Sequence, residues 1–164
     1  MSVGTWESHH DILTLLYTYT EYIDAADFDA IGELFEHGKI TTRGMKGETV
    51  GREAVRDLYK NTNKVHSDGT LRTRHLCTNV IVDIDESAGT ATARSSFLVL
   101  QATKDLPLQP IVAGRYRDRF ERAAGKWHFA EREMSVEQVG DVHDHLAFDL
   151  AAFVERSDPQ SDGK

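Results

Sequence analysis

The chain has 164 residues, of which 40% are hydrophobic, enough for one domain with an apolar core and too few for two. Its 27 acidic against 19 basic residues leave a formal charge of -8, which repels a phosphate backbone and argues against a nucleic-acid partner. The single cysteine, Cys77, rules out an internal disulfide, no apolar run approaches the roughly 18 residues of a membrane span, and the opening MSVGTWESHHD has neither a basic nor an apolar stretch, so a soluble cytoplasmic protein is expected.

Within residues 8–24, Ile12, Leu15, Leu16, Tyr19 and Ile23 recur at helical spacing, with Leu13 and Tyr17 widening the stripe, which predicts a well-buried helix. Asp27 is placed to cap a second helix that turns Ile31, Leu34 and Phe35 inward and is expected to stop near a left-handed Gly38. Residues 39–44 read as an edge strand or extended loop, and 52–60 as a third helix with Val55, Leu58 and Tyr59 on its inner face. Residues 61–70, rich in Asn, Ser, Asp and Gly, read as loop.

From Leu71 the period changes to two, the signature of strands with one face on a core. Four strands are expected at 72–84, 90–103, 111–122 and 126–139, and their short connections DESAG, KDLPLQP and AAGK demand an antiparallel meander. Past Gly140, HDHLAFDLAAFVER suits a closing amphipathic helix, so a single domain is expected over residues 1–156 with a disordered tail at 157–164. Helices followed by a long antiparallel sheet make an α+β fold, here a conical α+β barrel in which a strongly curved sheet wraps the helices around an apolar cavity.

Asp24 closes the first helix at the edge of its buried stripe, where a carboxylate needs a partner. Strand alternation puts His75 on one face with Cys77, Asn79 and Ile81, and Leu76, Thr78, Val80 and Val82 on the other. If the His75 face lines the cavity, the two meet: a carboxylate bonded to one imidazole nitrogen fixes the tautomer and makes the other a general base. Eight histidines and 27 acidic residues also offer chance pairs, and a buried His–Asp bond is often only structural.

Other groups carry plainer readings. Tyr17, Tyr22, Phe28 and Phe35 are expected in the core. His143 and His145 with Asp141 and Asp144, like His9 and His10, resemble metal ligands in spacing but lack further partners, and the DVHDH run reads as a solvated turn. Arg115, Arg117 and Arg119 mark a solvated or subunit-facing strand surface, and Cys77 is packing. Arg132 can pair with its neighbours Glu131 or Glu133; regular alternation sets it opposite Trp127 and Phe129, so it needs a bulge to share their face.

The segments AGRYRDRFERAAGKWHFAER, RHLCTN and YTEYIDAADFDAI resemble the SnoaL-like family of the nuclear transport factor 2-like superfamily, a similarity that spans about residues 12–134. Within that family the chain is similar to scytalone dehydratase, bile acid 7α-dehydratase and hexachlorocyclohexane dehydrochlorinase, cofactor-free lyases that use an Asp–His pair. The resemblance places Asp24 and His75 on that pair, with His75 opening H-x-x-T-N, Tyr19 five residues before the aspartate and Arg132 five after Trp127. What it implies is a cofactor-independent elimination of the dehydratase type, or an isomerisation, on a small apolar carbonyl-bearing molecule such as a polyketide, steroid or aromatic compound. His75 would act as base with Asp24 behind it, Tyr19 would serve the carbonyl or departing hydroxyl, and Arg132 would stabilise negative charge, with neither cofactor nor metal. Tyr19 and Asp24, about 140° apart on a regular helix, reach one cavity only if the helix end distorts or the pocket curves around it. The second histidine of scytalone dehydratase has no match among Ser95, Ser96 and Phe97, which argues against a scytalone substrate. The resemblance also implies a homo-oligomer, trimer or dimer. The alternative it carries is a non-catalytic binding or accessory subunit like the ring-hydroxylating dioxygenase β chain; epoxide hydrolysis, a third possibility, fits less well because the strand position is His75.

Overall fold

A computed structural model describes residues 4–150. Helix α1 (Trp6–Asp24) begins where the Thr5 hydroxyl accepts a hydrogen bond from the Ser8 amide, and it buries Ile12, Leu16, Tyr19 and Ile23 on one face. Each such side chain contributes about 1.5–3 kcal/mol when fully removed from water. Tyr17, expected in the core, falls on the opposite side and is exposed, whereas Phe28 and Phe35 are buried. Helix α2 (Phe28–Leu34) is capped by Asp27, whose carboxylate accepts from the Ala30 amide.

Strands β1 (Lys39–Thr42) and β2 (Thr49–Val50) precede helix α3 (Arg52–Thr62), after which come the long strands β3 (Thr73–Asp85), β4 (Thr90–Gln101), β5 (Gln109–Ala123) and β6 (Lys126–Val139). The last four form the expected antiparallel meander. The sheet as a whole has the order β2-β1-β6-β5-β4-β3 and is mixed rather than antiparallel, because β1 runs parallel to β6, with Ile40 opposite Arg132. It is curved but not closed, ending at β2 and β3, and the helices fill its hollow side. Each adjacent pair in the meander carries a register shift, and such bulges bend and twist the strands they interrupt.

Two of those shifts decide which residues face inward. In β3 the shift lies between Thr78 and Ile81, where Asn79 takes a φ of 53°, so Val80, Val82 and Ile84 pack on the core and Ile81 is exposed. That corrects the strict alternation expected past Cys77. In β6, Glu131 pairs with Arg119 and Phe129 with Phe120, which leaves Ala130 as the extra residue and puts Trp127, Phe129 and Arg132 all inside.

Gly38 does not adopt a left-handed conformation; α2 ends at Leu34 through Phe35, and Gly38 is needed for another reason. A Cβ there would lie 2.4 Å from the Phe129 carbonyl oxygen, so glycine is what lets β1 reach β6. Gly38→Ala is therefore expected to lower stability by about 1–3 kcal/mol, read as a lower urea midpoint, as overpacking does elsewhere.

The closing helix expected at 143–156 falls partly outside the described residues, as does the 157–164 tail. Residues 143–149 are turns rather than helix, joined to the end of α3 by a bridge between Asn63 and Leu146. Among the described residues no helix is long and apolar enough to cross a membrane.

Candidate active site

Between α1, α3 and the hollow of the sheet lies a cavity of about 470 Å³. Ile23, Leu58, Phe97, Val99, Val112 and Val136 give it an apolar wall, into which Tyr19, Tyr59, Tyr116, His75 and His145 bring polar groups. A second hollow of about 540 Å³, bounded by Asp83, Asp85, Arg119 and Glu121 at the far end of the sheet, is an open surface groove. The hollow between helices and sheet, apolar-walled with a few convergent polar groups, is the one suited to a small apolar ligand.

Asp24 ends α1 where the helix dipole is negative, so its carboxylate is stable only with donors supplied from elsewhere. Strand β3 supplies them. The His75 Nδ1 stands 2.7 Å from Asp24 Oδ1, the His75 amide donates to the same carboxylate at 3.0 Å, and the Thr73 hydroxyl donates at 2.7 Å. Burial pushes the Asp24 carboxyl up, but the bond and charge of His75, then Thr73 and the amide, outweigh it and hold the group below the usual carboxylate range. An ionised Asp24 can only accept, so Nδ1 carries a hydrogen, and in the neutral imidazole the lone pair is then on Nε2. Among the described residues Nε2 has no hydrogen-bond partner. Asp24 itself stands behind the cavity wall and His75 in it, so α1 need not distort for Tyr19 and the pair to serve one site.

The Tyr19 hydroxyl lies 2.6 Å from that of Tyr59. Burial pushes Tyr59 well above its ordinary value. Tyr59 was expected only as an inner-face residue of α3; the clue to more was its hydroxyl, which a buried tyrosine must pair.

Arg132 is fully buried in β6 and does not line the cavity. Its partner is neither Glu131 nor Glu133 but Asp118 on β5, which accepts from Nε at 2.8 Å and from Nη2 at 3.0 Å. The physical reason is strand alternation, which turns Glu131 and Glu133 to the other face, and the register, which sets Asp118 directly across from Arg132. The guanidinium lies 4.0 Å from the Tyr116 ring centre and 4.3 Å from that of Tyr19, beneath two rings that do line the cavity. Burial works against its charge, but the charge and hydrogen bonds of Asp118 override this and raise its pKa. Cys77 stands 3.3 Å from the Ser95 hydroxyl, and burial pushes its thiol up, which suits packing rather than nucleophilic chemistry.

His145 corrects the reading of the DVHDH run. Far from being solvated, it is 5% exposed and lies in the cavity wall, its ring centre 5.9 Å from that of His75. Residues 142–147 hold it as a strap: the Lys64 amide donates to the His145 carbonyl, the Ala147 amide to the Thr62 carbonyl, and the Thr103 hydroxyl to Asp144. Among the described residues no group of three or more His, Cys, Asp or Glu side chains is arranged to hold a metal ion.

Burial, and then the neighbouring His75, push His145 down to about 3 from an ordinary 6.5. Between those values the unfolded chain binds a proton that the folded chain does not, so stability rises with pH across the window and falls as pH drops through it. The slope is about 1.4 kcal/mol per pH unit, and Asp24, held low in the fold, adds to the loss below its unfolded value of 3.8. Urea midpoints between pH 7 and 4 are expected to fall accordingly, and His145→Leu to flatten the upper part of that curve.

The SnoaL-like domain family model matches residues 5–133. No curated protein matches the sequence. Solved structures share the fold: a nuclear transport factor 2-like protein with a cystatin-like fold from Novosphingobium aromaticivorans is 22% identical, covering 84% of this chain and 86% of its own, at a TM-score of 0.67. A variant of Rv3472, a protein of unknown function from Mycobacterium tuberculosis, is 24% identical over 93% of this chain and 87% of its own, at 0.68. A scytalone dehydratase candidate from N. aromaticivorans is 22% identical over 82% and 87%, at 0.65.

Proposed function

Because the chain belongs to the SnoaL-like domain family, we propose that its cavity carries out a cofactor-independent elimination of the dehydratase type, or an isomerisation, on a small apolar carbonyl-bearing molecule such as a polyketide, steroid or aromatic compound. The observation that carries this reading is the 2.7 Å bond between His75 Nδ1 and Asp24, with Nε2, among the described residues, without a hydrogen-bond partner in an apolar wall. His75 Nε2 takes a proton from the carbon beside the carbonyl, and the C–H electron pair moves into the new carbon–carbon double bond as hydroxide departs. Asp24 stabilises the imidazolium that results. One of the paired Tyr19 and Tyr59 hydroxyls donates to the other, and the second proton either hydrogen-bonds the carbonyl, the departing hydroxide then taking its proton from the His75 imidazolium, or protonates the departing oxygen and is replaced from that imidazolium, so the products are an alkene and water and His75 is neutral again.

Arg132 acts in this scheme from behind the wall, its charge pressed against the Tyr19 and Tyr116 rings that face the substrate. The outer side of the sheet exposes Leu76 and Ile81, which supports a second copy covering it and hence a homo-oligomer. An acidic chain with a single, half-buried thiol fits a reducing cytoplasm. The test is conversion of β-hydroxy ketones on apolar one- to three-ring frames to enones, followed by absorbance. An inert wild-type protein that neither forms enone nor exchanges the proton beside the carbonyl would leave a binding or accessory module as the better account.

A further inference from the structure

We propose that His145 is a second imidazole of the site, a hydrogen-bond donor that holds the substrate's oxygen while His75 takes the proton from the neighbouring carbon. The inference rests on the proton-abstraction reading above and adds to it a residue and a requirement on the ligand. Three observations carry it. His145 shares the cavity wall with His75, ring centres 5.9 Å apart, so one small molecule can touch both. Among the described residues its buried Nδ1 has no hydrogen-bond partner, and nothing bonds Nε2 either. The strap that carries it is fixed by bonds to Lys64, Thr62, Thr103 and Gln101, so the backbone that presents the ring to the cavity is tied down on both sides.

The buried, unpaired Nδ1 faces away from any partner, and Nε2, which is not among the buried unpaired atoms, is the nitrogen a molecule in the cavity can reach. With Nδ1 shut off, the cheaper tautomer leaves its lone pair unused and puts the hydrogen on Nε2, since orphaned buried N–H groups are rarer than orphaned acceptors. The two histidines then differ by environment. His75 has a carboxylate behind it and becomes a base; His145 has none, stays neutral over the physiological range, and can only offer its N–H or accept. Proton abstraction leaves negative charge on the substrate oxygen, and a fixed neutral donor aimed at it stabilises that charge without transferring a proton. The ligand class narrows accordingly, to apolar frames with an oxygen on the carbon adjacent to the acidic C–H.

The probes are 1-tetralone and tetralin, which share a frame and differ in the oxygen. The wild type is expected to bind the ketone about five- to tenfold more tightly than the hydrocarbon, and to exchange the ketone's α-hydrogen in D₂O. His145→Leu, which replaces an unpaired polar group by an apolar one, should keep its affinity for tetralin, lose the preference for the ketone and exchange about 10²-fold more slowly. His145→Gln, which retains a donor, should recover part of both and guards against a misfolded leucine variant. No ketone preference in the wild type, an unchanged preference and exchange rate in the leucine variant, or equal loss of both ligands would overturn the proposal. Exchange that needs His75 but not His145 would leave the base in place and remove this contact. A preference that needs His145 in a wild type that exchanges nothing would keep the contact and remove the base.

Discussion

Turnover is expected to fall by about 10²–10⁴-fold in His75→Ala while the fold survives, because the base is lost and little else. The His75 backbone amide and the Thr73 hydroxyl still satisfy Asp24, so no charge is stranded, and the vacated space joins an existing cavity. Asp24→Asn should cost as much activity for a different reason. Asp24 accepts from three donors at once, and an asparagine has one oxygen and brings an N–H that faces another donor. With its oxygen at the Oδ1 position the asparagine still accepts from Thr73 and the ring, but its NH2 faces the His75 backbone amide, a mismatch that costs about 1–2 kcal/mol of stability, and a neutral amide no longer stabilises the imidazolium. Steady-state rates and urea midpoints on the same preparations separate these effects. Full turnover in either variant, on a substrate the wild type converts, would remove the pair from the chemistry.

The largest loss of stability is expected from Arg132→Met. Breaking a buried ion pair on one side leaves the other charge stranded and costs about 3–5 kcal/mol, a large part of a typical 5–15 kcal/mol total. Asp118→Leu should do the same, and Arg132→Met/Asp118→Leu together should recover most of the loss, since a packed apolar pair serves as well as an ionic one. Activity then tells what the cation is for. If its charge under Tyr19 and Tyr116 supports the chemistry, the double variant is stable and slow. A double variant that is stable and fully active would confine Arg132 to holding the wall together.

What could be read from the residues was whatever repeats locally. The stripe Ile12, Leu16, Tyr19, Ile23 and the period-two strands announced α1 and the meander, and short connections forced neighbouring strands to pair. His75 lies close enough to the start of β3 for alternation to hold, which is why its face and its reach to Asp24 could be inferred. Four residues later the inference fails at Asn79, whose short polar side chain tolerates a left-handed backbone but does not demand one. Ala130 carries no local signal at all; only the need to put Arg132 beside Trp127 and Phe129 pointed to a bulge. The parallel pairing of β1 with β6 joins Lys39 to Glu131, far outside any window of periodicity. His145 was misread because its burial comes from a strap anchored on α3 and β4. The usable hint was apolar Leu146, Phe148 and Leu150 in a run otherwise polar.

A hollow at the meeting of helices and sheet also ties this protein's survival to its ligand. A molecule seated against the apolar wall adds contacts to Phe97, Val99, Val112 and their neighbours, so whatever binds there selectively stabilises the folded chain. A molecule present at a hundredfold excess over its Kd adds about 2.7 kcal/mol to the folded state, which cuts the unfolded fraction by close to two orders of magnitude. Proteases act on that fraction, so a molecule that binds this cavity is expected to slow the loss of intact chain under proteolysis, and the cavity's occupancy would set the chain's lifetime as well as its activity.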